Sequence, residues 1–578
     1  TINPFLAYLF SGSANIKEKK LNIFLRGFSK IEKYYERMLT YLLEEKSRYK
    51  SMILAIGIMF IFSVLLIFTP SVPFRMLPKA DRDQFYVYLD FPQGTRAEKN
   101  KEYTTEIEDI LFEDVNVKSV ESFIGIAPVV DFNGLFRGSS MRESDDQSTI
   151  RVNLISHEDR DIESEDIARK FRKNVVSFKE KNPGVEIKIV EDPPGPPVLS
   201  TFLLKIKGVD QKVTEEIALD MAQKTQKIKG VVDVDVSKSD HILNYTYEIN
   251  SQKAQLMGIS SQSIVGALRM AVSGSNVGVY HANNREARHP EEEYVVVRLV
   301  QDDRDSIDSI LSLAINSKKG DLIYLSEVLN ISDKTFKEPI ISDDRQKTVY
   351  VSGEMENRSI VYASIDLLME LKDYQLKDTE TELVSWSLFG AKYKDISSGR
   401  EYTVEVDGEW KLTLEVFRDL GVAMLIAIFV IYFVLATKIK SLTIPVLIMI
   451  SIPLGLIGVF PGFALLYIIK GTYFNATSMI GIIALAGLSV KNSVIFLEYL
   501  EPLRESGMSL KEALVETGRI RLLPIVLTSL TAILGSLTII SDPVWEGLAW
   551  TIIFGLTAST FLTLVVFPII YYMAQKNK

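Results

Sequence analysis

Six long apolar runs, at 52–68, 420–436, 442–469, 479–497, 522–540 and 547–573, contain one charged side chain among them, Lys491. Each is long enough to cross about 30 Å of hydrocarbon as a helix, so the chain is expected to span a membrane six times. The third run is the longest, and Pro445, Pro453 and Pro461 within it predict a bend. Between the first and second runs lies one large polar block; the last four follow closely on the second.

Orientation follows from the short connections, because lysine and arginine gather on the cytoplasmic side. Residues 17–50 carry ten of them, and "TKIKS" (437–441), the 498–521 loop and the tail "AQKNK" carry more. The alternate loops, 470–475 and 541–546, hold only Lys470. Both ends are therefore expected in the cytoplasm and the polar block outside. Residues 16–50 read as a basic amphipathic helix on the inner membrane surface, with Phe24, Leu25, Phe28, Ile31, Tyr34 and Tyr35 as its apolar side. The chain opens on Thr1 and its first apolar run begins near Met52, so no secretory leader is read at its start, and it is expected to be part of something larger.

Composition excludes several chemistries. The sequence has no cysteine, hence no thiolate ligand or cysteine nucleophile, and its four histidines (His157, His241, His281, His289) lack metal-ligand spacing. HExxH, GxSxG and phosphate-loop motifs are missing, so soluble hydrolase or nucleotidase chemistry is not expected, and neither is a cofactor or a bound metal. A net charge of −9 argues against a nucleic-acid partner.

Within the polar block, "QFYVYLDF" (84–91) alternates as a strand; a helix at 96–113, strands at 116–127 and 147–155, a helix at 161–179 and the strand "GVEIKIVE" follow. That order is β-α-β-β-α-β. After the proline cluster "DPPGPPV" (192–198), a linker, a second series begins: strand 202–207, helix 212–228, strands 231–236 and 244–250, and helix 260–272, capped by Ser260 or Ser261 and ended by Gly274. Its closing elements, 346–355 and 358–373, are displaced by an insertion. Two split β-α-β units, one interrupted, are the economical reading, and two such units joined by a hinge suit binding or conveying better than a passive stalk. The fold class is thus a six-span α-helical membrane bundle with a large exterior α+β domain of ferredoxin-like units. Its segments are 1–50, 51–70 (first span), 71–195 (first unit), 196–275 and 341–410 (second unit), 276–340 (insertion) and 411–578 (five spans).

An ionisable group inside a span costs roughly 2.5–3.5 kcal/mol and usually faces a bundle interior or aqueous cavity. Helical spacing puts Ala484, Gly487 and Lys491 on one face, where small residues admit a second helix beside the charge. Asn492 and Ser493 add hydrogen-bonding capacity. The alternative is a lysine reaching toward water past Glu498. A proton relay needs a carboxylate to pair with the lysine and release it on protonation; none of the six runs contains one. The next span places Arg521 at its cytoplasmic entrance and Thr528 in the membrane, although threonines in spans commonly bond their own backbone.

"GIIALAGLSVKNSVIFLEY", "GRIRLLPIVLTSLTAILGSL" and "GLTASTFLTLVVFPIIYY" resemble the tenth to twelfth spans of resistance-nodulation-division (RND) efflux permeases of the hydrophobe/amphiphile efflux branch. "MLPKADRDQFYVYLDFPQGT" (76–95) resembles the stretch after that family's seventh span, "YEINSQKAQLMGISSQSIVGALRMAVSG" (247–274) its second C-terminal porter unit, and "NPFLAYLF" the end of its sixth span. The resemblance implies the C-terminal half of a proton-driven antiporter of the bacterial inner membrane, with its large domain in the periplasm and no enzymatic activity. It implies as partners the missing N-terminal half, two further copies in a homotrimer, a periplasmic adaptor, an outer-membrane channel and membrane lipid, with small hydrophobic or amphiphilic compounds as cargo.

By the same resemblance, Lys491 is the counter-charge to aspartates on the absent fourth span, with Asn492, Arg521 and Thr528 in the proton relay. Leu523 departs from relatives that carry an arginine before Pro524. "DFNGLFRGSS" (131–140) matches a flexible loop between drug pockets, making Phe132, Gly134 and Phe136 substrate-path residues, and the insertion resembles a docking hairpin. Two alternatives stand beside this reading. One is metal-ion cargo, disfavoured because Met141, Met221, Met257, Met270 and Met355 are isolated; the other is a non-transporting membrane-anchored assembly module.

Overall fold

The computed structural model describes residues 23–76, 81–191, 198–237, 243–280, 293–304, 306–335, 340–375 and 380–576. Readings that rest on 3–10, 16–22, 192–197 and 281–292, and on His241, His281 and His289, lie outside the described residues, as do the side chains of Phe24, Leu25 and Phe132.

Among the described residues six helices are long and apolar enough to cross a membrane: Lys46–Phe68, Glu409–Ile439, Ile444–Lys470, Ala476–Glu505, Leu510–Leu537 and Glu546–Gln575. Each overlaps one of the apolar runs. The third is broken into Ile444–Met449 and Ser451–Lys470. The break has a local cause: the ring of Pro453 collides with the carbonyl four residues back, which belongs to Met449. The third, fourth and sixth spans approach closely through glycines. A Cβ on Gly458 would stand 2.3 Å from the Phe554 carbonyl oxygen, and one on Gly555 2.2 Å from Leu485 Cδ2.

The helix Ile23–Glu44 precedes the first span. Its buried stripe runs through Tyr35, Leu39 and Leu43, spaced by four, and Tyr35 Oη donates to the Leu564 carbonyl at 2.7 Å. Of the apolar side read from the sequence, Phe28 and Tyr35 pack into the bundle while Ile31 and Tyr34 are exposed. The expected face was rotated because it counted every apolar residue of the first turns, whereas the contact is set by the groove that Gly518 leaves for the Tyr35 ring.

In the first subdomain of the polar block the strands Val117–Ile124, Gln147–Leu154, Gln84–Asp90 and Glu186–Glu191 lie in that order in one four-stranded antiparallel sheet. The helices Ala97–Phe112 and Ser164–Asn174 cover one face around Phe85, Val87, Ile107 and Phe171. The long helix read at 161–179 is two, the second being Val176–Lys181. Alternation in 84–91 suggests one wet face, yet both are covered: Tyr86 and Tyr88 on the other face are buried too.

The second subdomain repeats the topology. Val231–Val236, Gln346–Met355, Phe202–Gly208 and Glu401–Gly408 take the same places in its sheet, which the hairpin Thr381–Ser387 and Gly390–Asp395 extends. The strand expected at 244–250 does not join it. As Leu243–Ile249 it pairs with Leu329–Thr335 inside the separate compact unit 238–340. That unit has its own small core around Ile259, Ile264, Leu325 and Val328. Its helix Ser261–Val272 is capped by Ser260, whose hydroxyl accepts from Ser263 N–H at 3.1 Å, and Gly274 follows at φ +88°.

Candidate functional site

The fourth span has two unlike sides. Leu485, Ala486, Ser489, Asn492 and Ser493 are buried, whereas Ile480, Ala484, Gly487, Lys491 and Glu498 form an exposed stripe at helical spacing. Nothing lies within 4 Å of where a Gly487 Cβ would stand. Lys491 makes no ion pair among the described residues, and Glu498, the acid toward which it could reach, is engaged by Lys438 at 2.7 Å. Among the described residues the small-residue face and its ammonium are therefore uncovered, as are Gly57, Gly421 and Gly535 on other spans, while Gly455, Gly458, Gly481 and Gly555 are closely packed between the third, fourth and sixth spans.

Asn492 points the other way. Its amide nitrogen donates to Ser529 Oγ at 3.3 Å and Thr560 Oγ1 at 3.5 Å, and Thr560 donates to Ser529 at 2.8 Å. Ser559 continues the seam, donating to Ser489 Oγ at 2.9 Å. These hydroxyls tie the last three spans together, a pattern the sequence shows only as scattered Ser and Thr. Arg521 lies with its guanidinium carbon 4.7 Å over the Tyr499 ring. Thr528 donates to its own backbone at Ile525 O, 3.0 Å away. Of the sequence-read relay set, then, Asn492 sits in a buried network, and no hydrogen bond among the described residues links Lys491, Arg521 and Thr528.

The segment read as a flexible loop in the first subdomain is a short helix, Phe132–Arg137, folded under the sheet. Asp131 caps it, accepting from Gly134 N–H at 2.6 Å, and Tyr86 Oη donates to the same carboxylate. A Cβ on Gly134 would stand 2.4 Å from Ser139 Oγ, so close packing rather than mobility requires glycine there. Phe136 is half exposed, and Ile126, Val129, Val130, Leu135 and Met141 near it in the chain are exposed.

The sequence reading missed Arg137. Its Nη1 meets Glu354 Oε1 of the second subdomain at 2.5 Å, with both side chains largely buried. Further pairs join the subdomains: Arg172 to Asp233 at 3.0 Å and to Glu356 at 3.5 Å, and Lys188 to Asp235. The available signal was "GEMEN" (353–357), which places two carboxylates on one strand face at i and i+2. Beside these pairs, burial pushes the Glu191 carboxyl up to about 7; Glu165 and Glu354 add to the shift, Arg172 and Arg75 oppose it.

Among the described residues no group of three His, Cys, Asp or Glu side chains is arranged to hold a metal. Met221 is in the second subdomain's core, and Met141 and Met270 are exposed.

A six-span bundle carrying two split β-α-β subdomains marks a multi-pass membrane protein. Residues 1–575 match the model of the AcrB/AcrD/AcrF family, and the chain belongs to this family of RND transporters, which are not enzymes. Among similar proteins, the cobalt-zinc-cadmium resistance protein CzcA of Cupriavidus metallidurans is 26% identical over 390 residues, 66% of this chain and 34% of that protein. The swarming motility protein SwrC of Bacillus subtilis is 23% identical over 378 residues, 64% of this chain and 33% of that protein. A heavy metal efflux pump solved in two crystal forms superposes with a TM-score of 0.72 in each. It covers 96% and 95% of this chain and 53% and 52% of the pump, at 18% and 19% identity, a likeness that shows the fold. The chain thus spans about a third of the length of the curated relatives it matches.

Proposed function

We propose that this chain is the C-terminal half of a proton-coupled RND efflux transporter, in which the uncovered Ala484–Gly487–Lys491 face receives a helix bearing carboxylates. The observation that carries the reading is that face: small residues and one ammonium with no acid paired to it among the described residues, the nearby Glu498 being held by Lys438. Protonation of the incoming acid releases the lysine, and deprotonation recaptures it, which converts proton flow into relative movement of two helices. Asn492, Ser529 and Thr560 hold the spans behind Lys491 as one rigid backing, with Arg521 and Thr528 on the adjoining span toward the cytoplasmic side.

The cargo supported by the relatives is a divalent heavy-metal cation, since the named relative CzcA and the solved pump both carry that role in their descriptions. This reverses the order of the two cargoes drawn from the motifs. Its donor set would be completed by the other half of the transporter. The second reading, a hydrophobic or amphiphilic compound passing Phe132, Gly134 and Phe136, is favoured by the exposed apolar residues between Ile126 and Met141. The assembly proposed is a homotrimer in the bacterial inner membrane with its exterior domain in the periplasm, served by an adaptor and an outer-membrane channel that the insertion 276–340 would meet.

The test is transport by the complete protein in proteoliposomes under an imposed pH gradient, with Zn²⁺ or Cd²⁺ and an amphiphilic dye as competing cargoes. Lys491→Ala is expected to abolish transport of the true cargo without loss of assembly. Unchanged transport by that variant would sink the relay, and no transport of either cargo by the wild type would favour the assembly-module alternative.

A further inference from the structure

The second span meets the exterior domain without a linker. The strand Glu401–Gly408 ends on Gly408, and the helix Glu409–Ile439 begins at the next residue. Gly408 lies at φ +67°, ψ −141°, and a Cβ there would stand 2.6 Å from the Ser200 carbonyl oxygen and 2.8 Å from that of Thr201. Only glycine makes this joint. The first turn of the span is then keyed into the second subdomain: Trp410 is buried in its core and donates Nε1–H to the Leu388 carbonyl at 2.7 Å. A strand running straight into a helix, locked by a buried indole, moves with its sheet as one body.

Four charges converge on this joint: Arg137 from the first subdomain, Glu354 from the second, Glu409 from the head of the span, and Arg75 from just after the first span, which faces Glu409 more strongly than Arg137 does. Glu354 accepts from Arg137, from Ser200 Oγ at 3.3 Å and from Thr201 Oγ1. The Thr201 carbonyl in turn accepts from the Glu409 N–H at 3.2 Å, so the residue that anchors Glu354 also seats the span. Burial works against the Arg137 charge, and Glu354 first and Glu409 next outweigh it. Arg137 Nε is buried with no hydrogen-bond partner. A buried guanidinium with one unused donor and two nearby carboxylates has a second arrangement within reach.

We propose that Arg137 is a positioning residue for transport, exchanging its contact between Glu354 and Glu409 as the second span moves, and so coupling that span to the contact between the two exterior subdomains. The proposal rests on the reading of this chain as half of an exporter. Because this half contains no cysteine, the exposed Glu180 and Lys227, next in sequence to Lys179 and Gln226, which line the groove between the subdomains, can be changed to cysteine and spin-labelled in the complete transporter.

In the wild type the label separation is expected to change when cargo and a pH gradient are applied. Arg137→Gln should remove that change and lower Vmax at least about tenfold, with KM and assembly retained, a split a purely structural role does not produce. The exchanged pair Arg137→Glu with Glu354→Arg re-forms the inter-subdomain contact but sets a carboxylate against Glu409, so folding should return and transport should not. Wild-type Vmax and normal label movement in Arg137→Gln would overturn the proposal, as would full transport by the exchanged pair alone. If Arg137→Gln fails to assemble, Glu409→Gln decides, and unchanged Vmax there also overturns it. Absence of transport of either cargo by the wild type would instead remove the exporter reading and leave the coupled movement of the labels to be judged by itself.

Discussion

In the membrane bundle one ammonium, Lys491, stands on a face of small residues with no acid beside it among the described residues, whereas at the joint above, Arg137, Arg172 and Lys188 are each closed against carboxylates of the other subdomain. The joint is electrostatically complete within this chain; the lysine face is not. The difference separates what this chain does alone, which is to hold two subdomains and a span in register, from what the proposed relay requires of a second polypeptide segment, which is a carboxylate for Lys491.

The largest effect should come where the comparison is sharpest. Lys491→Ala is expected to reduce pH-driven export by the complete transporter to background, and Lys491→Arg, which keeps the charge but not the point-like ammonium, should restore only part of it. In this chain taken alone, Lys491→Ala should leave stability unchanged or raise it, because the charge has no local partner to lose. A loss of several kcal/mol in the isolated chain would show that the face is already satisfied and would erase the contrast.

Glu354→Ala should do the reverse. It strands Arg137 inside the protein, and removing one partner of a buried ion pair costs about 3–5 kcal/mol. Denaturant unfolding of the detergent-solubilised chain, followed through Trp410 at the joint, reads this directly; a cost within about 0.5 kcal/mol would mean water reaches the pair and the joint is not closed.

A third, smaller effect is pH dependence. The Glu191 carboxyl is raised from 4.5 to about 7, so the folded state holds its proton more tightly than the unfolded chain does. Its contribution to stability is therefore fully present below about 4.5 and is lost as pH rises through about 7. Asp90 and Glu405, held below their ordinary values by Arg142 and Lys188 and by Lys207 and Lys411 against the opposing effect of burial, act in the opposite sense and lose their contribution on acidification. Glu191→Gln should thus flatten the stability profile between about 4.5 and 7, leaving the variant more stable than wild type at pH 8 and equal to it near pH 4. An unaltered slope would mean that the water and the Arg172 guanidinium reaching this partly exposed side chain offset its burial.

The spans were legible because lipid demands long uncharged runs, and the prolines of the third announced a bend without saying which of them breaks the helix; Pro461 lies inside the unbroken Ser451–Lys470. The repeat of split β-α-β units was legible from strand and helix order, including the displaced 346–355 strand. Two parts were not. The strand at 243–249 has the same local signature as its neighbours, and only its pairing with 329–335 shows that it belongs to the insertion. The joint was hidden because Arg137 lies 217 residues before Glu354 and farther still before Glu409, and each looks like an ordinary surface charge by itself. Lys491 stood out for the opposite reason: its environment is written in the residues within one helical turn of it.

The smallest effect on this chain should be the most informative about its partner. Gly481 and Gly487 lie on the same span, but a Cβ on Gly481 would stand 2.7 Å from Thr551 Cβ, while one on Gly487 meets nothing within 4 Å. Gly481→Ala therefore forces the fourth and sixth spans apart, and overpacking of that kind costs about 1–3 kcal/mol. Gly487→Ala should change the stability of this chain by less than about 0.5 kcal/mol, or raise it slightly through helix propensity. In the presence of the remaining half the order should reverse. A helix seated on the Ala484–Gly487–Lys491 face needs the missing side chain for close approach, so Gly487→Leu should weaken co-purification of the two halves and lower export. If both glycine variants leave co-purification intact, the carboxylate-bearing helix approaches elsewhere, and Lys491 would then have to find its acid across a wider, water-filled gap.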